Sequence, residues 1–279
     1  MTIADARPSA QTAAATGGLP LSVRIAVPIL LGAVFIVAWE LLVRYLAIPK
    51  FVLPAPSEIV AALIDGFGPL MVSMWITLKV TLSAFFIALA LGVVVAILFA
   101  QSRLVEVSLF PYAVVLQVTP IVSIAPLVLI WVGLDHVERA LLILATIVAF
   151  FPILSNTTLG LKSVDHNLQN LLDLYHASRW QRLKELQFPS ALPYLLGGMK
   201  ISGGLALIGA VVAEFVAGSG TGNGLAWRIV EAGNRLNIPR MFAALLLLSL
   251  LGIVIFFGLS ALEYLLLRKW HESALGREN

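Results

Sequence analysis

Side chains able to do chemistry are sparse in this 279-residue chain, and the spacings that would assemble a reactive site are missing. The histidines, His136, His166, His176 and His271, fall at no metal-ligand spacing. There is no cysteine, which removes disulfides, thiolate metal sites and thiol nucleophiles. The run GSGTGNG at 218–224 has the glycines of a phosphate loop. It lacks the Lys-Ser/Thr pair that would reach the phosphates. The chain is therefore expected neither to hydrolyse ATP nor to hold a metal. What remains is electrostatic and mechanical. There is a charged stretch SRWQRLKELQ at 178–187, a carboxylate at Glu214 in VVAEFVAG, and lysines at Lys79 and Lys200 in apolar surroundings. A polar, proline-containing set, Gln117, Thr119, Pro120 and Ser123, completes the inventory.

The elements that must position these residues are membrane helices. The chain is 60% hydrophobic and 12% charged, against about 25% charged in soluble domains, and its mean hydropathy is +0.98. A bilayer core of about 30 Å needs ~20 apolar residues per helix. Six runs qualify, at roughly 24–46, 74–100, 105–133, 138–160, 194–216 and 241–267. All are read as helices, because a spanning backbone must satisfy its own hydrogen bonds. Residues 1–22 are small, polar and Pro/Gly-punctuated, a disordered tail. They lack the early apolar core of a cleaved signal, so the first run is read as an uncleaved span. Residues 271–279 form a second tail. With the N-terminus inside, ten Lys and Arg fall inside and six outside. That bias puts both termini and the 161–193 segment in the cytoplasm. On the outer side, FVLPAPSEI (51–59) leads into a helix starting near Ser57, and LAWRIVEA is a short surface helix.

The charged stretch has its own grammar. Ser178 and Gln181 make a capping box. The helix they open runs to about Gln187, where Phe188-Pro189 is expected to stop it. A shorter helix, about Asp165 to Tyr175, precedes it, and His176-Ala177 forms the elbow between them. Pro193 then suits the first turn of the fifth span. Trp180, Leu183 and Leu186 or Gln187 share one face; Arg179, Arg182 and Glu185 share the other. Two readings stand: a helix lying on lipid headgroups, or a lever inserted in the groove of a soluble partner. Pro120 and Pro126 in the third span, and Pro152 in the fourth, are ordinary kinks or mark a bent pore helix. In the second case freed carbonyls, with Gln117, Thr119 and Ser123, face a pathway. Glu214 either bonds an arginine such as Arg228 or loop amides, or acts as a gate. Lys79 and Lys200 are read as snorkelling to the headgroups.

The elbow resembles the cytoplasmic loop of ABC-importer permeases, whose pattern is EAA, three residues, G, nine residues, I-x-L-P. Leu186-Gln187-Phe188-Pro189 takes the place of I-x-L-P, His176 that of the glycine, and Asn170-Leu171-Leu172 that of EAA. The runs FVLPAPSEIVAAL, QVTPIVSIAPLVLIWVG and LIGAVVAEFVAGSGTGNGLAWRI resemble one permease branch in particular. It serves nitrate, sulfonates, taurine and related small molecules, and includes transporters for pyrimidine and flavin vitamin precursors. The match runs in order from about residue 50 to 235.

The resemblance implies an all-α membrane protein of the bacterial inner membrane, with six transmembrane helices in the type I ABC-importer permease fold over residues 23–270. It implies a homodimer surrounded by lipid, beneath a periplasmic or lipid-anchored substrate-binding protein and above two ATPase subunits that bind ATP and Mg. No cofactor in this chain and no nucleic-acid partner are expected. It makes Asn170, Asp173, His176, Ala177, Ser178, Arg179 and Trp180 the ATPase contacts, with Asp173 as the replacement for the acid absent at Asn170. The prolines and polar residues themselves, rather than the resemblance, make Gln117, Thr119, Pro120, Ser123 and Glu214 the pathway or gate candidates. Replacing the glycine by His176 weighs against a positive-φ elbow, although His tolerates that region better than most non-glycine residues. Two rival readings are an ion-coupled carrier and a membrane anchor recruiting a cytosolic partner. The first calls for mid-membrane ionisable groups and internal repeats. The second needs neither Pro-bent spans nor a Gly-rich outer loop.

Overall fold

The computed structural model describes residues 21–217 and 224–268, and among these every regular element is helical. The tail readings, His271 and all of GSGTGNG but its last glycine lie outside the described residues; Leu21 and Ser22, counted with the first tail, are already helical. The elements are α1 (Leu21–Tyr45), α2 (Pro56–Asp65), α3 (Phe67–Gln101), α4 (Arg103–Val118), α5 (Ile121–Val132), α6 (Val137–Lys162), α7 (His166–Leu174), α8 (Arg179–Arg182), α9 (Phe188–Ala217), α10 (Leu225–Asn234) and α11 (Ile238–Leu267).

Among the described residues, five helices are long and apolar enough to cross a bilayer unaided. The expected third span, 105–133, is instead two helices, α4 and α5, bent by 101° where they meet. The cause is local. A residue before proline is pushed out of the helical region, and Thr119 sits at φ −68°, ψ 124°. Pro120 has no amide to continue the ladder. The Thr119 hydroxyl donates at 2.7 Å to the Val115 carbonyl, which also accepts from the Thr119 amide at 3.1 Å, so both groups close the last turn of α4. The second span also differs, since α3 starts at Phe67 and runs for 35 residues, about 52 Å at 1.5 Å per residue. It therefore stands well proud of the hydrocarbon layer.

The core is the trio α3, α6 and α9, held close by small residues. A Cβ on Gly160 would stand 2.8 Å from the Ala191 Cα, and one on Gly209 2.8 Å from the Ala145 Cα. Backbones thus approach at two levels of the α6–α9 seam, the route by which membrane helices gain van der Waals contact. Phe85, Ala88, Ala149, Ile153, Leu196 and Ala206 fill the middle of the trio. α11 is fastened to α9 by a Lys200–Glu263 ion pair at 2.7 Å. Lys200 is therefore partnered by protein rather than snorkelling.

Two short helices cover one end of the bundle. Ile59 of α2 and Leu225 of α10 pack with Leu70, Ala243, Ala244 and Leu247. α2 begins at Pro56, one residue before Ser57. Glu40 of α1 accepts from the Ser57 amide (3.0 Å) and hydroxyl (2.8 Å), and Arg44 braces the same carboxylate. Apart from Val43 and Trp39, most of α1 keeps its large apolar side chains exposed, as a helix bathed by lipid would.

Gly160→Val or Gly209→Val should wedge α6 from α9 and cost about 1–3 kcal/mol. Thermal unfolding of the detergent-purified protein should fall accordingly, while Gly197→Ala, where a Cβ meets nothing within 4 Å, should leave it unchanged.

Candidate functional site

At the opposite end from α2 and α10 the chain leaves α6 and makes the elbow. Asp165 caps α7 by accepting from the Asn167 amide at 2.8 Å. α7 closes with a paired turn: the Ala177 amide donates to Leu172 (2.9 Å) and the His176 amide to Asp173 (3.0 Å). This is the helix-ending motif that requires a left-handed residue just past the cap. His176 supplies it, at φ 51°. The backbone shape expected of a glycine is therefore kept by a histidine.

α8 then opens on the capping box read from the sequence. The Ser178 amide donates to Gln181 Oε1 at 2.7 Å, and the Gln181 amide to Ser178 Oγ at 3.3 Å. Arg182 fixes the angle between the two short helices. Its guanidinium meets Asp173 at 2.5 Å and the Ala177 carbonyl at 3.2 Å. Asp173 is thus engaged inside the elbow. Asn170, Asp173, His176, Ser178, Arg179 and Trp180 are all exposed, and Ala177 is half-buried. Leu174, Tyr175 and Trp180 are each at least 70% exposed, an apolar surface on an otherwise charged device.

The expected stop at Phe188-Pro189 does not occur. Residues Leu183–Gln187 form a π turn that runs straight into α9, giving one apolar helix from Arg179 to Ala217. The Phe188 amide donates five residues back, to Leu183, so the missing Pro189 amide falls where the ladder has already widened. Such π insertions let a helix absorb a local defect without ending. Phe188 keeps helical angles, φ −69° and ψ −44°, against its pre-proline preference. Leu183, buried among Phe99, Leu154, Leu161 and Ala191, anchors the turn. Pro193 accordingly lies inside α9, not in its first turn. Arg182 and Leu183 were not singled out as a tie and an anchor by sequence reasoning. The signal for the first was an Arg nine residues after an Asp, across an elbow.

Of the second set, Gln117 and Thr119 come together at the α4–α5 bend. They line a cleft of about 260 Å³ with Ile147, Val148 and Pro152 of α6 and Leu205 of α9. Pro120 caps α5, and Ser123 is exposed one turn further on. Glu214 is elsewhere. It is 1% exposed and accepts from the Thr77 hydroxyl (2.8 Å) and the Ala226 amide (3.0 Å). Thr77 in turn accepts from the Leu225 amide at 2.9 Å. The carboxylate thus caps the start of α10, the positive end of a helix. A Cβ on Gly224 would fall 2.1 Å from its Oε1. The partners of Glu214 are Thr77 and an amide in the first turn of α10, not Arg228. Arg228 bonds Ser73 (3.0 Å) and Glu231 (2.8 Å) instead. The Arg228 hydrogen bond, then the charges of Arg235 and Arg240, hold the Glu231 carboxyl below its ordinary value against partial burial. Its stabilisation is complete above that ordinary value and is lost on acidification through the lowered one. The polar stripe Ser73, Thr77, Thr81 on α3 was the legible sign of this cluster.

A membrane bundle with an exposed, rigidly tied elbow on one end and capped surface helices on the other has the architecture of a transport permease. Residues 88–269 match the model of the binding-protein-dependent transport system inner membrane component family, and the chain belongs to that family. It is a multi-pass inner-membrane permease component of such a system. The formylaminopyrimidine transport permease protein ThiX of Halalkalibacterium halodurans is 34% identical, covering 86% of this chain and 94% of the relative. The putative aliphatic sulfonates transport permease protein SsuC of Bacillus subtilis is 31% identical, covering 89% and 88%. A crystal structure of an amino acid ABC transporter aligns with TM-score 0.61 at 16% identity, over 75% of this chain and 97% of that one. That likeness concerns the fold alone.

Two outcomes test the geometry. His176→Gly should preserve or tighten the elbow and His176→Val should loosen it by about 1 kcal/mol or more, since only the second resists a positive φ. Hydrogen exchange at the Ala177 amide reads the difference. Glu214→Ala should cost about 2 kcal/mol by stranding buried donors, and should lower the melting temperature more than Glu214→Gln, which keeps an acceptor oxygen.

Proposed function

We propose that this chain forms the translocation path of an ATP-driven, binding-protein-dependent importer and is driven through the 165–187 elbow. The reading has the elbow and both termini in the cytoplasm and α2 and α10 outside, in keeping with the lysine and arginine bias. Two copies of the chain pair in the membrane, surrounded by lipid. Two ATPase subunits carry ATP and Mg, and a substrate-binding protein delivers cargo on the outer side. This chain itself catalyses nothing. Asn170, Asp173, His176, Ala177, Ser178, Arg179 and Trp180 make up the ATPase-facing surface, and Gln117, Thr119, Pro120 and Ser123 border the pathway at the α4–α5 bend. Glu214 supports the outer mouth by holding α10.

The observation that carries this reading is the exposed elbow whose second arm is the start of a transmembrane helix. A helix resting on headgroups would not need an Asp173–Arg182 tie, a left-handed His176 and a buried Leu183 to fix its angle. The cargo belongs among small solutes of the kind named for the relatives. Those names include formylaminopyrimidine, riboflavin, aliphatic sulfonates, taurine and nitrate.

The test is ATPase activity of the purified membrane complex, wild type against Arg179→Glu with Trp180→Ala, with and without binding protein. Trp and Arg truncations at the centre of an interface typically cost 2 kcal/mol or more, so stimulation by the binding protein should fall at least about tenfold. Unchanged stimulation, or a wild-type preparation that carries no ATPase, would overturn the proposal.

A further inference from the structure

Away from the elbow and the bend, α3 and α6 enclose a separate cleft of about 290 Å³ near the α2/α10 end. Lys79, Ser83, Glu138 and Arg139 line it, with Ile76, Val80 and Leu142 as its apolar wall. All four polar side chains are exposed, and none makes a hydrogen bond or ion pair within the described residues. Lys79 lies on the face of α3 turned away from its buried stripe of Thr77, Thr81, Ala84 and Ala88. The cleft therefore opens sideways from the bundle.

Its height is set by helix arithmetic. Lys79 stands 22 residues above the Gln101 end of α3, and Arg139 stands 23 above the Lys162 end of α6. At 1.5 Å per residue these are about 33 and 35 Å, just beyond a hydrocarbon layer of about 30 Å. Both cations thus stand at one level, where apolar chains give way to headgroups. The start of α6 adds the positive end of a helix dipole. Glu138 offsets one of the two cations, leaving a net charge of one positive.

We propose that this cleft is a binding site for a singly charged oxyanion, a phosphodiester or a sulfonate. Lys79 and Arg139 donate to its oxygens, Ser83 supplies a neutral donor below, and the wall of Ile76, Val80 and Leu142 receives whatever apolar group the anion carries. Two sources share this chemistry, the headgroup of a phospholipid and a small anionic solute. The net charge selects a monoanion over a dianion. The assignment rests only on the membrane placement of α3 and α6, and stands whether or not the elbow drives transport.

The test uses the full-length permease in its intact complex, in mild detergent. One arm measures retained phosphatidylglycerol by native mass spectrometry, with diacylglycerol of the same chains as the phosphate-free control. The other titrates methanesulfonate calorimetrically. Wild type and the charge-preserving pair Lys79→Arg with Arg139→Lys should bind alike. Lys79→Gln with Arg139→Gln should bind about tenfold more weakly, each single change falling between, while diacylglycerol retention stays level across all variants. Loss confined to phosphatidylglycerol identifies a lipid headgroup; loss confined to methanesulfonate identifies a solute. Binding of both ligands that is absent in wild type, or equal in all variants, overturns the site.

Discussion

The constraint on which the rest of this molecule depends is that backbone amides and carbonyls have no water to turn to inside a bilayer. A plain helix meets that demand unaided. Several departures from a plain helix here are met by a named group. At the α4–α5 break the Thr119 hydroxyl takes a carbonyl. At the start of α10 Glu214 and Thr77 take two amides. At the start of α2 Glu40 takes another. At Pro189 the ladder widens into a π turn before the missing donor is reached. The irregular points are also those that give the bundle its shape.

A common device recurs at the α2/α10 end. Each short surface helix is tethered by a carboxylate from a transmembrane helix, Glu40 for α2 and Glu214 for α10. The two differ in exposure: Glu40 is braced by Arg44 at the rim, whereas Glu214 is sealed from solvent and held by neutral donors. At the other end the fastening is of another kind. Arg182 spans the elbow, and Leu183 buries the following turn between α3, α6 and α9. The short helices at both ends are thus attached by side chains as well as by the chain that links them.

Much of this was legible in the sequence. Apolar run lengths found the spans, and Ser178 with Gln181 announced the elbow's second helix. The alignment put His176 where the family has glycine, a replacement that weighs against a positive φ, yet the backbone keeps it at 51°. What escaped were two prolines read with the wrong strength. Pro120 breaks a span that the hydropathy trace carries straight across, because Thr119 before it is extended and hydroxyl-capped. Pro189, read as a terminator, is absorbed, because Leu183 and Ala191 are buried on both sides of it and a π turn costs less than uncovering them. Partner choice was the other blind spot. Residue type marked Glu214 as needing a partner, but only packing decided that it would meet Thr77 and not Arg228; Lys200, expected to snorkel, meets Glu263, and Arg182 ties to Asp173 across the elbow.

The uninterrupted helix from Arg179 to Ala217 has a mechanical corollary. Its 39 residues span about 58 Å at helical rise. Moved as one body, its two ends are arms of one balance beam, and displacement scales with distance from the pivot. A tilt of about five degrees about one end carries the other through about 5 Å, roughly the pitch of a helical turn. Gearing on that scale would carry a modest shift at the Arg179 end to the Ala217 end beside α10.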